Sequence, residues 1–214
     1  MDQEILNSYS KLKDLNVSRE TFLDFENYIS MIIEKNKKIN IISQNTSSKK
    51  AIIDRHIIDS AQIIDFVDLN SDTTTDLGSG GGMPGIILAI MFKNLKSPMQ
   101  FNLFEKSYHK SKFLKEVSSQ LNLNTKIYKE DIFNSEKIIT GTIIARAFKP
   151  LPAVLELIHA KFPNFKNLIF FMGKKGKLTL IEAFKKWEFE YKEKESLTNK
   201  DSFLMNIKNL KKKN

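Results

Sequence analysis

The chain contains no cysteine. Disulfides and thiolate metal sites are therefore excluded, and we expect no metal. No apolar run approaches the roughly 18 residues of a membrane span, so no membrane association is expected. Arginine is scarce: only Arg19, Arg55 and Arg146 occur. The rest of the positive charge is lysine, and the formal net charge is +9. That excess points to a polyanion partner, nucleic acid first among them. Lysine, asparagine and isoleucine are all abundant, however, so a general compositional bias accounts for part of it. The final Lys211-Lys212-Lys213 run reads as a solvated tail. Met1-Asp2-Gln3-Glu4 lacks the basic start and apolar stretch of a signal peptide, which suggests a cytoplasmic protein. Hydrophobic residues make up 41% of 214, enough for one α/β domain with a small appendage.

Glycine is also sparse, yet five of the 8 lie within Gly78-Ser79-Gly80-Gly81-Gly82-Met83-Pro84-Gly85. The β-branched run Thr73-Thr74-Thr75 precedes this loop and ends at Asp76. An apolar helix pattern follows from Pro84. This is the layout of a nucleotide-type cofactor site at the first strand-to-helix turn of an α/β sheet. Glycine suits such a turn because its backbone angles are unusual and a ligand must lie against bare backbone.

Residues 1–70 read as a helical extension packed on the core. Phe22, Phe25, Ile29, Ile32 and Ile33 have helical spacing within Thr21 to Lys35, with Ser18 as a start signal. After a polar break at Gln44 to Ser48, a second helix runs from Lys49 to Phe66. Residues 71–214 read as a domain of alternating strands and helices. Strands are expected at Thr73–Leu77, Gln100–Phe104, Thr125–Tyr128, Thr142–Ala145 and Asn167–Phe171. Helices are expected at Pro84–Phe92, Tyr108–Leu121, Leu151–Phe162 and Leu178–Trp187. Phe189–Lys192 and Phe203–Ile207 could close the sheet as a hairpin. The alternation predicts a doubly wound, mostly parallel, Rossmann-like sheet, with its ligand beyond the carboxyl ends of the strands.

Gly80 to Gly85 spells G-x-G-x-x-G, a weak dinucleotide signal. Its register is wrong: counting from Gly78, Met83 stands where the third glycine belongs. Asp76-Leu77-Gly78-Ser79-Gly80 suits S-adenosylmethionine better, because a carboxylate at a strand end favours an ammonium and a sulfonium. Glu105, after the second strand, is placed to accept from ribose hydroxyls. Lys129-Glu130-Asp131, after the third strand, is where an adenine would be held. Glu105 and Asp131 also suit helix or turn caps.

Three segments resemble the bacterial small-subunit ribosomal RNA guanine-N7 methyltransferases, the glucose-inhibited division protein B family. Arg55-His56-Ile57-Ile58-Asp59-Ser60 is similar to the family's Arg-His-x-x-Asp-Ser helix. The loop from Asp76 to Ile86 is similar to its glycine loop ending in Pro-Gly, and Ala145-Arg146-Ala147-Phe148 to its Ser-Arg-Ala-Phe. Asn40-Ile41-Ile42-Ser43 is similar to its Asn-Leu-Thr segment. The resemblance implies a class I methyltransferase that uses S-adenosylmethionine to methylate N7 of one guanine in 16S rRNA, free or in the small ribosomal subunit, and a monomer. It carries cofactor contacts onto Gly78, Met83, Lys129, Glu130 and Arg146; the residues themselves add Asp76, Gly80 and Glu105. Two departures stand out: Ala145 replaces a common serine, and Met172-Gly173-Lys174-Lys175-Gly176 holds the family's Lys-Gly turn only in shifted form.

Guanine N7 has a lone pair and no proton, so its methylation needs no general base, and no residue is assigned as a chemical catalyst. Orientation can supply most of the rate. Arg146 is expected at the cofactor or the pocket wall, with a structural ion pair as the other reading. Arg55, His56 and Phe148 are substrate or pocket candidates; His56 could equally be satisfied by Asp59. A related methyltransferase for protein or small molecules, a dinucleotide oxidoreductase and a non-catalytic RNA-binding protein remain open.

Overall fold

In the computed structural model, which describes residues 9–15 and 17–213, a short 3-10 turn at Ser10–Leu15 precedes helix α1, Arg19–Asn36. Met1 to Glu4 lies outside the described residues. The Ser18 side chain accepts from the Thr21 N–H at 3.2 Å and so caps α1. Phe22, Phe25, Ile29 and Ile32 are buried along one face of α1, as their spacing requires.

The expected helix from Lys49 to Phe66 is interrupted. It consists of α2 (Lys49–Ile52), a π-helical turn (Ile53–Ile58), α3 (Asp59–Ala61) and a 3-10 turn at Ile64–Phe66. The buried pairs Ile52/Ile57 and Ile53/Ile58 are five apart, which is the π repeat rather than the α repeat. A coarse apolar periodicity does not distinguish the two.

Strands β1 (Thr73–Leu77), β2 (Gln100–Phe104), β3 (Thr125–Tyr128), β4 (Thr142–Ala145) and β5 (Asn167–Met172) are parallel. β6 (Trp187–Glu195) and β7 (Phe203–Lys212) form the hairpin, and β7 runs antiparallel to β5. The order is β3-β2-β1-β4-β5-β7-β6. Helices α4 (Gly85–Asn94), α5 (Tyr108–Gln120), α6 (Leu151–Lys161) and α7 (Gly176–Phe184) cover the sheet.

Two expectations are corrected here. Helix α7 stops at Phe184, and Trp187 opens β6 opposite Lys212, because burial of the indole in the sheet's core outweighs helix continuation. The lysine run is no free tail: Lys211 and Lys212 belong to β7, and Lys212 Nζ lies 3.1 Å from a Glu156 carboxylate oxygen.

Helix α4 is buried from Gly85 through Phe92. A helix apolar on all sides must be covered on all sides. Here the sheet covers one side, and α1 and α3 the other. The extension is therefore part of the core that supports the glycine loop. The buried Tyr28 hydroxyl of α1 donates to the Gly81 carbonyl. Among the described residues, no helix is long and apolar enough to cross a membrane, and no group of acidic and histidine side chains could hold a metal ion. Tyr28→Phe strips a buried carbonyl of its donor and should lower stability by about 1–3 kcal/mol in urea unfolding; an unchanged midpoint would detach the extension from the loop.

Candidate active site

Strand order reverses between β1 and β4, which opens a crevice at their carboxyl ends. The glycine loop leaves β1 there, and Arg146-Ala147-Phe148 leaves β4. Gly78, Gly80 and Gly82 have φ of 68°, 57° and 105°, the left-handed region that disfavours side chains. Space is equally tight: a β-carbon on Gly78 would sit 2.5 Å from Phe148 Cδ2.

Two cavities flank the segment after β4. One, of about 240 Å³, is lined by Gly78, Glu105, Glu130, Asp131, Phe133 and Phe148 among others. The other, of about 610 Å³, is lined by Arg55, Asp59, Arg146, Phe171, Thr198 and Phe203 among others. Ala147 borders both and has φ of 49°, a strained value for a residue with a β-carbon.

Asp76 is 1% exposed and accepts the Gly85 N–H on Oδ2 at 3.0 Å. The carboxylate thus occupies the N-terminus of α4, where a dinucleotide would need to set its pyrophosphate. Burial pushes the Asp76 carboxyl up to about 7, although the Ser79 and Gly85 donors and Arg146 pull it down. Glu105 bridges two loops: Oε2 accepts from Gly80 N at 2.8 Å and Oε1 from Ser107 N at 2.7 Å. Glu105 also lines the smaller cavity, and each of its oxygens can accept a further bond. Asp131 caps its own turn, accepting from Phe133 N at 3.2 Å. Lys129 and Glu130 are exposed, and Lys129 Nζ lies 4.9 Å from the Tyr108 ring centre. Met83 is buried. Phe148 stacks on Phe133, ring centres 6.0 Å apart, and so walls the smaller cavity.

Arg146 combines the two roles weighed for it. It lines the larger cavity and is also anchored. NH2 lies 3.0 Å from Asp59 Oδ2 and donates to the Arg55 carbonyl at 2.7 Å; NH1 donates to Ser60 Oγ at 3.2 Å. Its guanidinium sits 5.5 Å from the Phe171 ring centre. Burial works against the charge, and Asp59 and Asp76 compensate.

His56 is not paired with Asp59. Its Nε2 lies 3.1 Å from Thr46 Oγ1, since the carboxylate is already held by Arg146. Burial, then Arg146 and Arg55, push His56 down to about 4, so it is neutral at pH 7. The side chain of Arg55 is exposed at the rim. The sequence reading missed Ala147 and the β6–β7 turn, Ser196 to Ser202, as cavity walls. A polar turn between hairpin strands carries no local signal of what it will face. Asp59 was visible inside its motif, but not its tie to Arg146.

The positive-φ glycine floor, the Glu105 carboxylate beside it and the adjoining cavity fit S-adenosylmethionine. The sheet order and this loop define a class I S-adenosylmethionine-dependent methyltransferase. Solved structures share the fold. A putative O-methyltransferase from Klebsiella pneumoniae aligns with a TM-score of 0.60 at 12% identity, over 95% of this chain and 96% of that one. A mutant of MtNAS in complex with S-adenosylmethionine aligns at 0.56 and 12% identity, over 88% and 76%. The sequence profile of the rRNA small subunit methyltransferase G family matches residues 22–207, and the chain belongs to that family. The Ribosomal RNA small subunit methyltransferase G of Pelagibacter ubique is 55% identical over 212 residues, 99% of this chain and 100% of that protein.

The Asp76 environment sets a pH dependence. The folded carboxyl titrates at about 7 and the unfolded one near 4, so between these values the folded state holds the extra proton. Stability should fall as pH rises from about 4 to about 7, by at most roughly 1.4 kcal/mol per pH unit from this group. Asp76→Asn should remove that component in urea unfolding at several pH values. A slope identical to wild type would refute the buried-acid assignment.

Proposed function

We propose that the chain transfers a methyl group from S-adenosylmethionine to N7 of a guanine in 16S rRNA of the small ribosomal subunit. The observation that carries this reading is the pair of cavities meeting at Ala147, one floored by the glycine loop and one walled by Arg146. When bound, the cofactor supplies an electrophilic methyl on its sulfonium. Gly78 lines its pocket, and Gly80 and Met83 would support that floor from within the loop. Glu105 would accept from the cofactor's ribose hydroxyls, and Glu130, with Lys129 beside it in the chain, would border the adenine. Asp76 acts from beneath the loop, where its partial charge favours a cationic ligand.

The larger cavity takes the guanine, with Arg55 and Asp59 at its extension side, His56 next to Arg55 in the chain, and Phe148 beyond Ala147 on the smaller cavity. N7 needs no base, and His56, pushed down to about 4 by burial, then Arg146 and Arg55, is neutral and brings no positive charge to the site at pH 7. Arg146 cannot usefully donate to N7, the atom that must react. Held by Asp59, Ser60 and the Arg55 carbonyl, it walls the larger cavity and fixes how the base approaches, while Ala147 borders both cavities. The reading includes a monomer at work in the cytoplasm, where an rRNA substrate is found.

Incubation with a labelled methyl donor and 16S rRNA or small subunits lacking the modification should label one guanine at N7. Label on another position or on protein would overturn the assignment. Arg146→Ala should cut transfer by about a hundredfold or more while the protein stays folded. Glu105→Gln should weaken S-adenosylhomocysteine binding by about tenfold in calorimetry.

A further inference from the structure

Asp59 stands where three distant parts of the chain meet. Its Oδ2 holds the Arg146 guanidinium at 3.0 Å, at the end of β4. Its Oδ1 accepts from Thr198 Oγ1 at 2.7 Å and Ser196 Oγ at 3.4 Å, both in the β6–β7 turn. Oδ1 also accepts from Gln62 Nε2 at 2.9 Å. Gln62 is fully buried, and its Oε1 accepts the Leu197 N–H at 2.8 Å. The backbone around Asp59 is the π turn and α3, whose Arg55 carbonyl and Ser60 hydroxyl take two further donors of Arg146.

These parts are the facing walls of the larger cavity. Arg55 and Asp59 border it from the extension, Arg146 and Ala147 from β4, and Ser196, Thr198 and Asn199 from the turn. Among the described residues, Asp59 is the carboxylate in ion-pair contact with Arg146. The side chains of Arg146 and Asp59 are only 18% and 15% exposed, so the pair is weakly screened, and charge-assisted bonds of this kind fix geometry as well as energy. A surface pair would not.

We propose that Asp59 is a positioning residue: it locks Arg146 and the β6–β7 turn at a set separation and thereby determines how the acceptor nucleotide seats in the cavity. This rests on the reading of that cavity as the acceptor site. The two carboxylate oxygens serve different partners, so the two ties can be cut separately. Thr198→Val keeps the shape and removes the shortest of the three bonds to Oδ1. Asp59→Asn keeps one acceptor oxygen and removes the negative charge opposite Arg146.

The test uses the full chain with small ribosomal subunits lacking the modification. The readouts are kcat, KM for subunits, S-adenosylhomocysteine affinity, Tm, and amide hydrogen exchange at Leu197 and Thr198. Thr198→Val should raise KM by about threefold to tenfold at unchanged kcat and cofactor affinity, with faster exchange at both amides. Asp59→Asn should add a loss of kcat of about tenfold or more with folding retained. Wild-type kinetics in both variants would overturn the proposal. So would losses that merely track Tm and cofactor affinity, the pattern of a structural carboxylate. If wild type itself transfers no methyl to rRNA, the functional reading falls by that control. Exchange then decides the lock alone: faster exchange in Thr198→Val supports it, and unchanged exchange overturns it.

Discussion

The bend between Leu77 and Ile86 has to turn where there is no room for side chains. Three of its glycines lie at positive φ, and a β-carbon on Gly78, Gly82 or Gly85 would run into Phe148, Tyr28 and Ile86, or Leu103 and Asp76. That bare backbone starts α4, and its first helical N–H is spent on the buried Asp76 carboxylate. The smaller cavity takes its shape from it. Gly80 holds Glu105 in place, and Gly78 sets where Phe148 can lie. A loop carrying ordinary residues could form neither contact.

The loop does not support itself. Helix α4 is apolar all round, and the helical extension covers the side that the sheet leaves open. The same extension supplies the groups that fix Arg146. One element therefore supports the glycine loop through Tyr28 and holds Arg146 at the larger cavity through Asp59. In a single small domain, this economy links core packing to the site. Changes in the extension should be felt in chemistry about as readily as in stability.

Much of this arrangement was legible in the residues. The starts of β1 to β5 were readable because short β-branched and apolar runs are bounded by polar breaks and alternate with helical periods. The glycine loop was readable because five glycines in eight residues have few other physical uses. Where reading failed, competing patterns overlapped. Ile52 to Ile58 suits an α or a π repeat until packing decides. Trp187 continues an apolar helical spacing, yet it opens β6 because strand pairing buries the indole. Lys211 and Lys212 look like a tail, but their backbone is claimed by β7 opposite Trp187 and Glu188.

From the chain alone come the α/β alternation, the cofactor loop and the class of chemistry. These depend on local spacing and on which backbone angles each residue tolerates, and both are written residue by residue. The partners of His56 and Asp59, the strain at Ala147 and the use of the β6–β7 turn as a cavity wall were decided only by tertiary structure. Most of these contacts join groups from about 10 to 139 positions apart. Which of several available donors reaches a carboxylate first is set by the sheet's order and by the packing of α4, not by any pattern within a segment.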